Sequence, residues 1–319
     1  MVIEKSNTEY YVCRIPGLVI TEKKTLVAYY ECRRELSDRS DIDLKIIRSE
    51  DEGKTWQTVT VIESCGNTLN NPVMFVKDGV LHFLYCKNYA GLYYCVSYDD
   101  GKTFSEPRDI SCFLEDIGFE YTCNAIGPGH GIVHNGNMIV PIWFAYNKEI
   151  PISHRPSFLR TIYSSDNGKT WNIGQEIGKD FLVNPSEAAL AVDSDDNVVI
   201  SIRNENFENF RAFATSKTGF SDWQDLSFNE NLTDPTCQGS MFHTDGVIYH
   251  INCANTSERK DLTIKTTNDN FKTFKEIFVS DVAGYSDIAV DGDKIFVIYE
   301  RNIFEMTDDA GLHFEKIIV

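Results

Sequence analysis

An eight-residue turn pattern that returns along the whole length constrains this chain more than any other feature. Its sharpest form is Ser164-Ser165-Asp166-Asn167-Gly168-Lys169-Thr170-Trp171, and residues 49–56 and 97–104 repeat it with Ser, Asp, Gly and a closing aromatic in place. The short Asp side chain can accept hydrogen bonds from nearby backbone N–H groups, Gly takes a positive φ at little cost, and the aromatic can be buried as a peg. Three blurred copies complete the series. Residues 216–223 keep Ser216 and Trp223 but lose the Asp, residues 267–274 lose the Gly, and residues 307–314 keep Asp309 and Gly311. The closing aromatics at 56, 104, 171, 223, 274 and 314 lie 40–67 residues apart, bracketing the roughly 40–50 residues of a four-stranded propeller blade. Six copies predict an all-β, six-bladed β-propeller of four-stranded antiparallel blades, one domain over residues 1–319.

The remaining sequence reads as β throughout. Short runs rich in β-branched and aromatic residues, such as Thr25-Leu26-Val27-Ala28-Tyr29-Tyr30 and Lys294-Ile295-Phe296-Val297-Ile298-Tyr299, are headed by hairpin signals including Lys77-Asp78-Gly79, His134-Asn135-Gly136 and Asp291-Gly292. The sole helical signal is a turn near 109–116. The longest interval between aromatic ends, 104 to 171, holds Ala125-Ile126-Gly127-Pro128-Gly129-His130-Gly131 and the stretch 144–158, expected as loops over one face.

Charge and cysteine usage narrow the function classes. With 30 Lys+Arg against 48 Asp+Glu the net charge is −18, which disfavours nucleic acid and anionic membranes as partners. A small anion remains compatible, because Arg residues in a dry pocket act locally. The nine Cys show no zinc spacing, so no metal is expected, and they read as buried reduced thiols. No apolar run reaches the roughly 18–20 residues of a membrane span. The first residues lack the basic and apolar regions of a secretory signal, giving a cytoplasmic expectation.

One charged pair sits where a surface role is hard to sustain, and the other ionisable candidates each have an ordinary reading on their own, as a surface or loop cation, a core aromatic or a solvated hairpin tip. Glu187 heads the apolar run Ala188-Ala189-Leu190-Ala191-Val192, and Arg203 ends the strand across the following hairpin. Arg14 precedes Ile15-Pro16, Arg259 precedes a strand, and Tyr285 begins one. The segment 31–43, from Glu31 through Arg33, Arg34, Asp38, Asp41 and Asp43, is dense in both charges. In a propeller, equivalent strand ends from different blades converge on one mouth of the ring.

Taken together these residues resemble the sialidases (neuraminidases) over nearly the whole length. The resemblance rests on Arg-Ile-Pro at 14–16, the repeated Asp-boxes, Glu-x-Arg at 31–33 with its acidic loop, Gly-Pro-Gly-His at 127–130, Glu187 ahead of Arg203, Arg259 before a strand, and Tyr285-Ser286 with Tyr299-Glu300 behind it. It implies that Arg14, Arg203 and Arg259 clamp a substrate carboxylate, that Asp38 is the acid/base, and that Tyr285 and Glu187 form a nucleophile pair. It adds Arg33, chosen over Arg34, as a further pocket Arg. Asp41 and Asp43 share the loop with Asp38 and stay open as alternatives.

The chemistry is coherent with that assignment. Arg offers a carboxylate a bidentate fork that Lys lacks. The anomeric carboxylate would repel an Asp or Glu nucleophile, whereas a neutral Tyr approaches freely but needs a base, Glu187, because its pKa is near 10. Sialidases depart from the two-carboxylate rule of glycosidases in this way. Asp38 is expected to lie apart from the Arg cluster so that it can be protonated. The expected activity is retaining exo-α-sialidase hydrolysis of a sialylated oligosaccharide or glycoconjugate without a cofactor. The alternatives are a related nonulosonic acid, transfer in place of hydrolysis, or an inactive sialic-acid-binding propeller.

Overall fold

The computed structural model describes every residue except 116, 270, 306 and 308. The described residues form six sheets, antiparallel but for one short parallel addition. Blade 1 comprises Val12–Ile20, Leu26–Arg33, Ile42–Ser49 and Gln57–Ile62. Blade 2 comprises Leu69–Lys77, Val80–Lys87, Gly91–Ser97 and the short Arg108–Asp109, and Gly129–His130 adds to its inner edge in parallel. Blade 3 is built on Cys123–Ile126 and Ile132–His134, both paired with Asn137–Ala145, followed by Ser157–Ser164 and Asn172–Ile173. Blades 4 and 5 run Ala188–Val192, Val198–Ile202, Phe210–Ser216, Gln224–Thr233 and Ser240–Thr244, Val247–Cys253, Lys260–Thr267, Lys275–Val282. Blade 6 comprises Ser286–Asp291, Lys294–Arg301 and Gly311–Ile318, with Val2–Lys5 as its outermost strand. That strand closes the ring, because the two ends of the chain share one sheet.

Strand direction divides the molecule into two faces. Within each blade the strands alternate, so turns joining first to second and third to fourth strands emerge at one end, and all other connections emerge at the opposite end. The hairpin signals occupy first-to-second turns, where Asp78 and Gly79, Asn135 and Gly136, and Asp245 and Gly246 all have positive φ, as tight hairpins require. Five Asp-boxes occupy third-to-fourth turns. In the box at 164–171, Ser164 Oγ donates to Asp166 Oδ1 at 2.9 Å and accepts from Gly168 N at 2.9 Å, while Asp166 accepts from Thr170 N and Oγ1 at 2.9 and 2.7 Å. Trp56 and Trp171 pack edge-on against Phe314 and Tyr94 of the preceding blades.

Two blurred boxes show how the turn survives substitution, and one copy proves to be a different feature. At 216–223 the Thr218 hydroxyl takes the place of the Asp and accepts from Ser221 N at 3.0 Å. At 267–274 Phe271 itself adopts φ 64° where the sharp boxes have Gly, its ring packed 4.6 Å from Phe213 of blade 4; Asn270 lies outside the described residues. The copy at 307–314 belongs to the connection between second and third strands of blade 6, on the opposite face from the five boxes, and Phe314 lies within the third strand; its Asp308 lies outside the described residues. A third-to-fourth turn cannot form in blade 6, since its fourth strand comes from the other end of the chain.

The cores are the apolar faces of neighbouring blades. At the ring axis the fully buried Asp287 accepts from Leu18 N, Ser240 Oγ and Ile288 N and meets His130 Nδ1 at 2.8 Å, tying the inner strands together. The helical signal is a single 3-10 turn, Ser111–Leu114; Asp116 lies outside the described residues. All nine Cys are free, but Cys65 and Cys112 are exposed, which corrects the expectation of uniform burial. Among the described residues, no helix is long and apolar enough to cross a membrane.

Candidate active site

Arg14, Asp38, Glu187, Arg203, Arg259 and Tyr285 all line one cavity of roughly 160 Å³ on the face opposite the boxes. They reach it from starts of odd strands and ends of even strands, which antiparallel pairing brings to the same end. Arg14 lies near the start of the first strand of blade 1. Glu187 immediately precedes the first strand of blade 4 and Arg203 follows its second, while Arg259 precedes the third strand of blade 5 and Tyr285 the first of blade 6.

Tyr285 is the centre of the arrangement. Its hydroxyl donates to Glu187 Oε1 at 2.6 Å and accepts from Arg203 Nη1 at 2.9 Å, and Arg203 Nη1 is also ion-paired with Glu187 Oε2. The guanidinium groups of Arg14 and Arg259 lie over the Tyr285 ring at 5.2 and 5.4 Å from its centroid. Burial and the Glu187 charge raise the Tyr285 pKa well above the usual phenol value, outweighing the three Arg, so the resting hydroxyl is neutral.

Each cation is held differently. Glu300, fully buried, accepts from Arg14 Nε at 3.1 Å, Ile15 N at 2.9 Å and Tyr285 N at 3.0 Å, so one carboxylate orients both the Arg and the Tyr backbone. Only Gly fits at 284, since a Cβ there would meet Glu300 Oε2 at 2.3 Å. Ile15 adopts φ 54° inside a break of strand register between Arg14 and Gly17, a strained conformation for a β-branched residue. Arg203 is matched by Glu187. By contrast, no hydrogen bond or ion pair joins the Arg259 guanidinium to any other side chain among the described residues.

The charged loop of blade 1 separates its two Arg residues. Arg33 is fully buried behind the cavity, where Nε donates to Glu31 Oε2 at 2.7 Å and Nη1 to Asp38 Oδ1 at 2.6 Å. Arg34 points the other way, to Asp43 Oδ2 at 2.9 Å and Asp41 Oδ1 at 3.2 Å, as alternation along a strand requires. Asp43 is enclosed by Tyr10, Arg34 and Ser64, leaving Asp38 as the carboxylate of this loop that reaches the cavity. The expectation that Asp38 lies apart from the Arg cluster is corrected. Besides Arg33, Arg14 Nη1 is 3.7 Å away. Burial alone would raise the Asp38 pKa, but the charge and hydrogen bond of Arg33, with Arg14, hold it below the usual carboxylate value.

A profile of the BNR repeat-like domain family matches residues 24–297, most of the chain. The chain belongs to this BNR-repeat family. The BNR-repeat chain is 25% identical to the sialidase of Bacteroides fragilis (strain YCH46), over 93% of its own length and 61% of that protein. It is 32% identical to Sialidase-3 of Mus musculus, over 75% of its length and 63% of the relative. Its fold superposes on the Hadza microbial sialidase Hz136 with a TM-score of 0.83 at 23% identity, covering 98% of this chain and 66% of that one. The chain therefore spans less than two thirds of the length of each of these relatives.

The other half of the BNR-repeat cavity carries no residue-level signal in the sequence. Tyr89 and Trp143 of blades 2 and 3, Asn71, His154 and Asn184 complete its wall. The signal for His154 was regional, since it lies within the long stretch 144–158. Tyr89 and Trp143 look like ordinary core aromatics in the sequence, and burial of 3% and 4% exposure fits that pattern; only the ring geometry turns them toward the site. Among the described residues no group of three or more His, Cys, Asp or Glu is placed to hold a metal ion.

Proposed function

We propose that this chain is a retaining exo-α-sialidase acting on terminal sialic acid of an oligosaccharide or glycoconjugate. The observation that carries the reading is the Tyr285 hydroxyl, hydrogen-bonded to Glu187 at 2.6 Å and Arg203 at 2.9 Å in a cavity flanked by two further Arg. Arg259, with no ion-paired side chain among the described residues, and Arg14 and Arg203 beside it receive the substrate carboxylate. Glu187 takes the Tyr285 proton as the phenolic oxygen attacks the anomeric carbon, and a raised pKa makes that transfer concerted with attack. Asp38 gives its proton to the departing glycosidic oxygen. Ionised Asp38 then removes a proton from water, which displaces Tyr285 by attack from the face the leaving group vacated, and Glu187 returns the phenolic proton. Two displacements retain configuration.

The pairing of Asp38 with Arg33 and Arg14 fits this cycle through charge balance. In the free site Arg14, Arg33, Arg203 and Arg259 face Glu300, Glu31, Glu187 and Asp38. A substrate carboxylate adds one negative charge and draws Arg14 from Asp38, so proton uptake by Asp38 restores neutrality as the leaving group arrives. Turnover of a fluorogenic α-sialoside tests the reading. Tyr285→Phe should lower kcat by about 10³-fold or more with unchanged circular dichroism, and early NMR spectra should show the α-anomer. A β-anomer as first product, or equal turnover by both proteins, refutes it.

A further inference from the structure

His154 is held at the edge of the cavity with its hydrogen-bonding capacity unused. Its ring packs against Tyr89 and Trp143 at centroid distances of 4.8 and 5.1 Å, and neither ring nitrogen bonds a protein group among the described residues. The loop carrying it is fastened on both sides of the mouth. Arg39 Nη2 donates to Ile152 O at 2.9 Å from blade 1, and Arg155 Nε pairs with Glu205 Oε1 at 2.7 Å toward blade 4. Asn147 Oδ1 accepts from Ile150 N at 2.9 Å and closes the turn before it. The imidazole is thus positioned by packing and by its loop, with both nitrogens left for a ligand.

Its location says which part of a ligand that is. Tyr89 and Trp143 line the enclosed cavity alone, whereas His154, Asp38 and Arg155 also line an adjoining groove of roughly 450 Å³ with Ser37, Arg39 and Ile152. A group protonated by Asp38 departs across Asp38, and the groove is the space beyond it. Burial, with Arg39 and Arg203 nearby and opposed by Asp38 and Glu187, lowers the His154 pKa, so near neutral pH the ring offers one donor and one acceptor without charge. That is the complement of a sugar hydroxyl, while an aryl leaving group offers nothing to match it.

Resting on the sialidase reading, we propose that His154 is a specificity-determining residue that hydrogen-bonds a hydroxyl of the leaving saccharide. The test compares sialyllactose with an aryl α-sialoside, using His154→Phe, which keeps the ring packing, and His154→Gln, which keeps a donor and an acceptor. His154→Phe should lower kcat/KM on sialyllactose about 10-fold, the scale of a lost substrate hydrogen bond, with the aryl substrate changed less than about 3-fold. His154→Gln should recover part of the loss. Equal losses on both substrates, or no loss on either, overturn the proposal while leaving the activity standing. A wild-type protein that cleaves neither substrate overturns the sialidase reading and this inference with it.

Discussion

The two ends of the propeller solve opposite problems. At the box end, Asp51, Asp99, Asp166 and Asp269 are half-buried carboxylates bonded to residues no more than four positions away. At the catalytic end, Glu31, Glu187 and Glu300 are buried carboxylates, and the bonds that matter span up to 286 residues, as between Arg14 and Glu300. The difference teaches that local hydrogen bonding builds a repeatable scaffold, while long-range charge matching builds a site that cannot be repeated.

Removing charge at the catalytic end, and then at the box end, sharpens that contrast. Arg33→Met strands Glu31, whose remaining described partner is the Asn71 N–H, so urea unfolding should show a loss of about 3–5 kcal/mol, as for other broken buried pairs. Arg34→Met, removing a half-exposed partner, should cost less than about 1 kcal/mol. Comparable losses would erase the distinction between the two sides of that strand. Next in size, Arg259→Ala should raise KM for a sialoside roughly 10- to 100-fold by removing a charge-assisted contact, while Tm stays near wild type because among the described residues no side chain is hydrogen-bonded or ion-paired to the guanidinium and left stranded. A large fall in Tm with unchanged KM would make Arg259 a structural cation.

A smaller effect is expected in the pH profile. Asp38 is held low in the free protein by Arg33 and Arg14, and substrate carboxylate relieves part of that hold. The alkaline limb of kcat, which reports the bound state, should therefore lie above that of kcat/KM; the reverse order would refute charge balance as the source of Asp38 protonation. Least of all should Asp166→Asn matter to catalysis. The Thr170 N–H and hydroxyl, with Ser164, hold the Asp166 carboxyl down to about 2. Because folding lowers that pKa, the stabilisation is complete above the unfolded value near 4 and is lost as pH falls toward 2. Tm should drop by a few degrees at pH 7, the gap to wild type closing toward pH 2, with kcat within about 2-fold.

Legibility follows the same division. The box turns could be read because every partner of Asp166 lies within the eight residues that define it. The copy at 307–314 misled for a related reason: Thr, Asp and Gly at those spacings resemble a box, but which face a turn occupies depends on how many strands precede it in its sheet. Arg14, Glu187, Arg203, Arg259 and Tyr285 were visible as polar residues at strand ends. Tyr89, Trp143 and His154 were not, because an aromatic facing a cavity and one facing a core have the same sequence surroundings.

By itself, then, the sequence determined the β-propeller and the turns of five blades, since turn chemistry and strand alternation act over a few residues; the expected six blades are found, but the copy at 307–314 that stood for the sixth is not a box. Only the tertiary structure decided that Asp38, rather than Asp41 or Asp43, reaches the cavity, that it does so against two Arg, and that Arg259 has no ion-paired side chain among the described residues. Those outcomes depend on charges brought within a few ångströms by ring closure, and Coulomb energy in a buried site is set by distance and burial, neither of which sequence separation encodes.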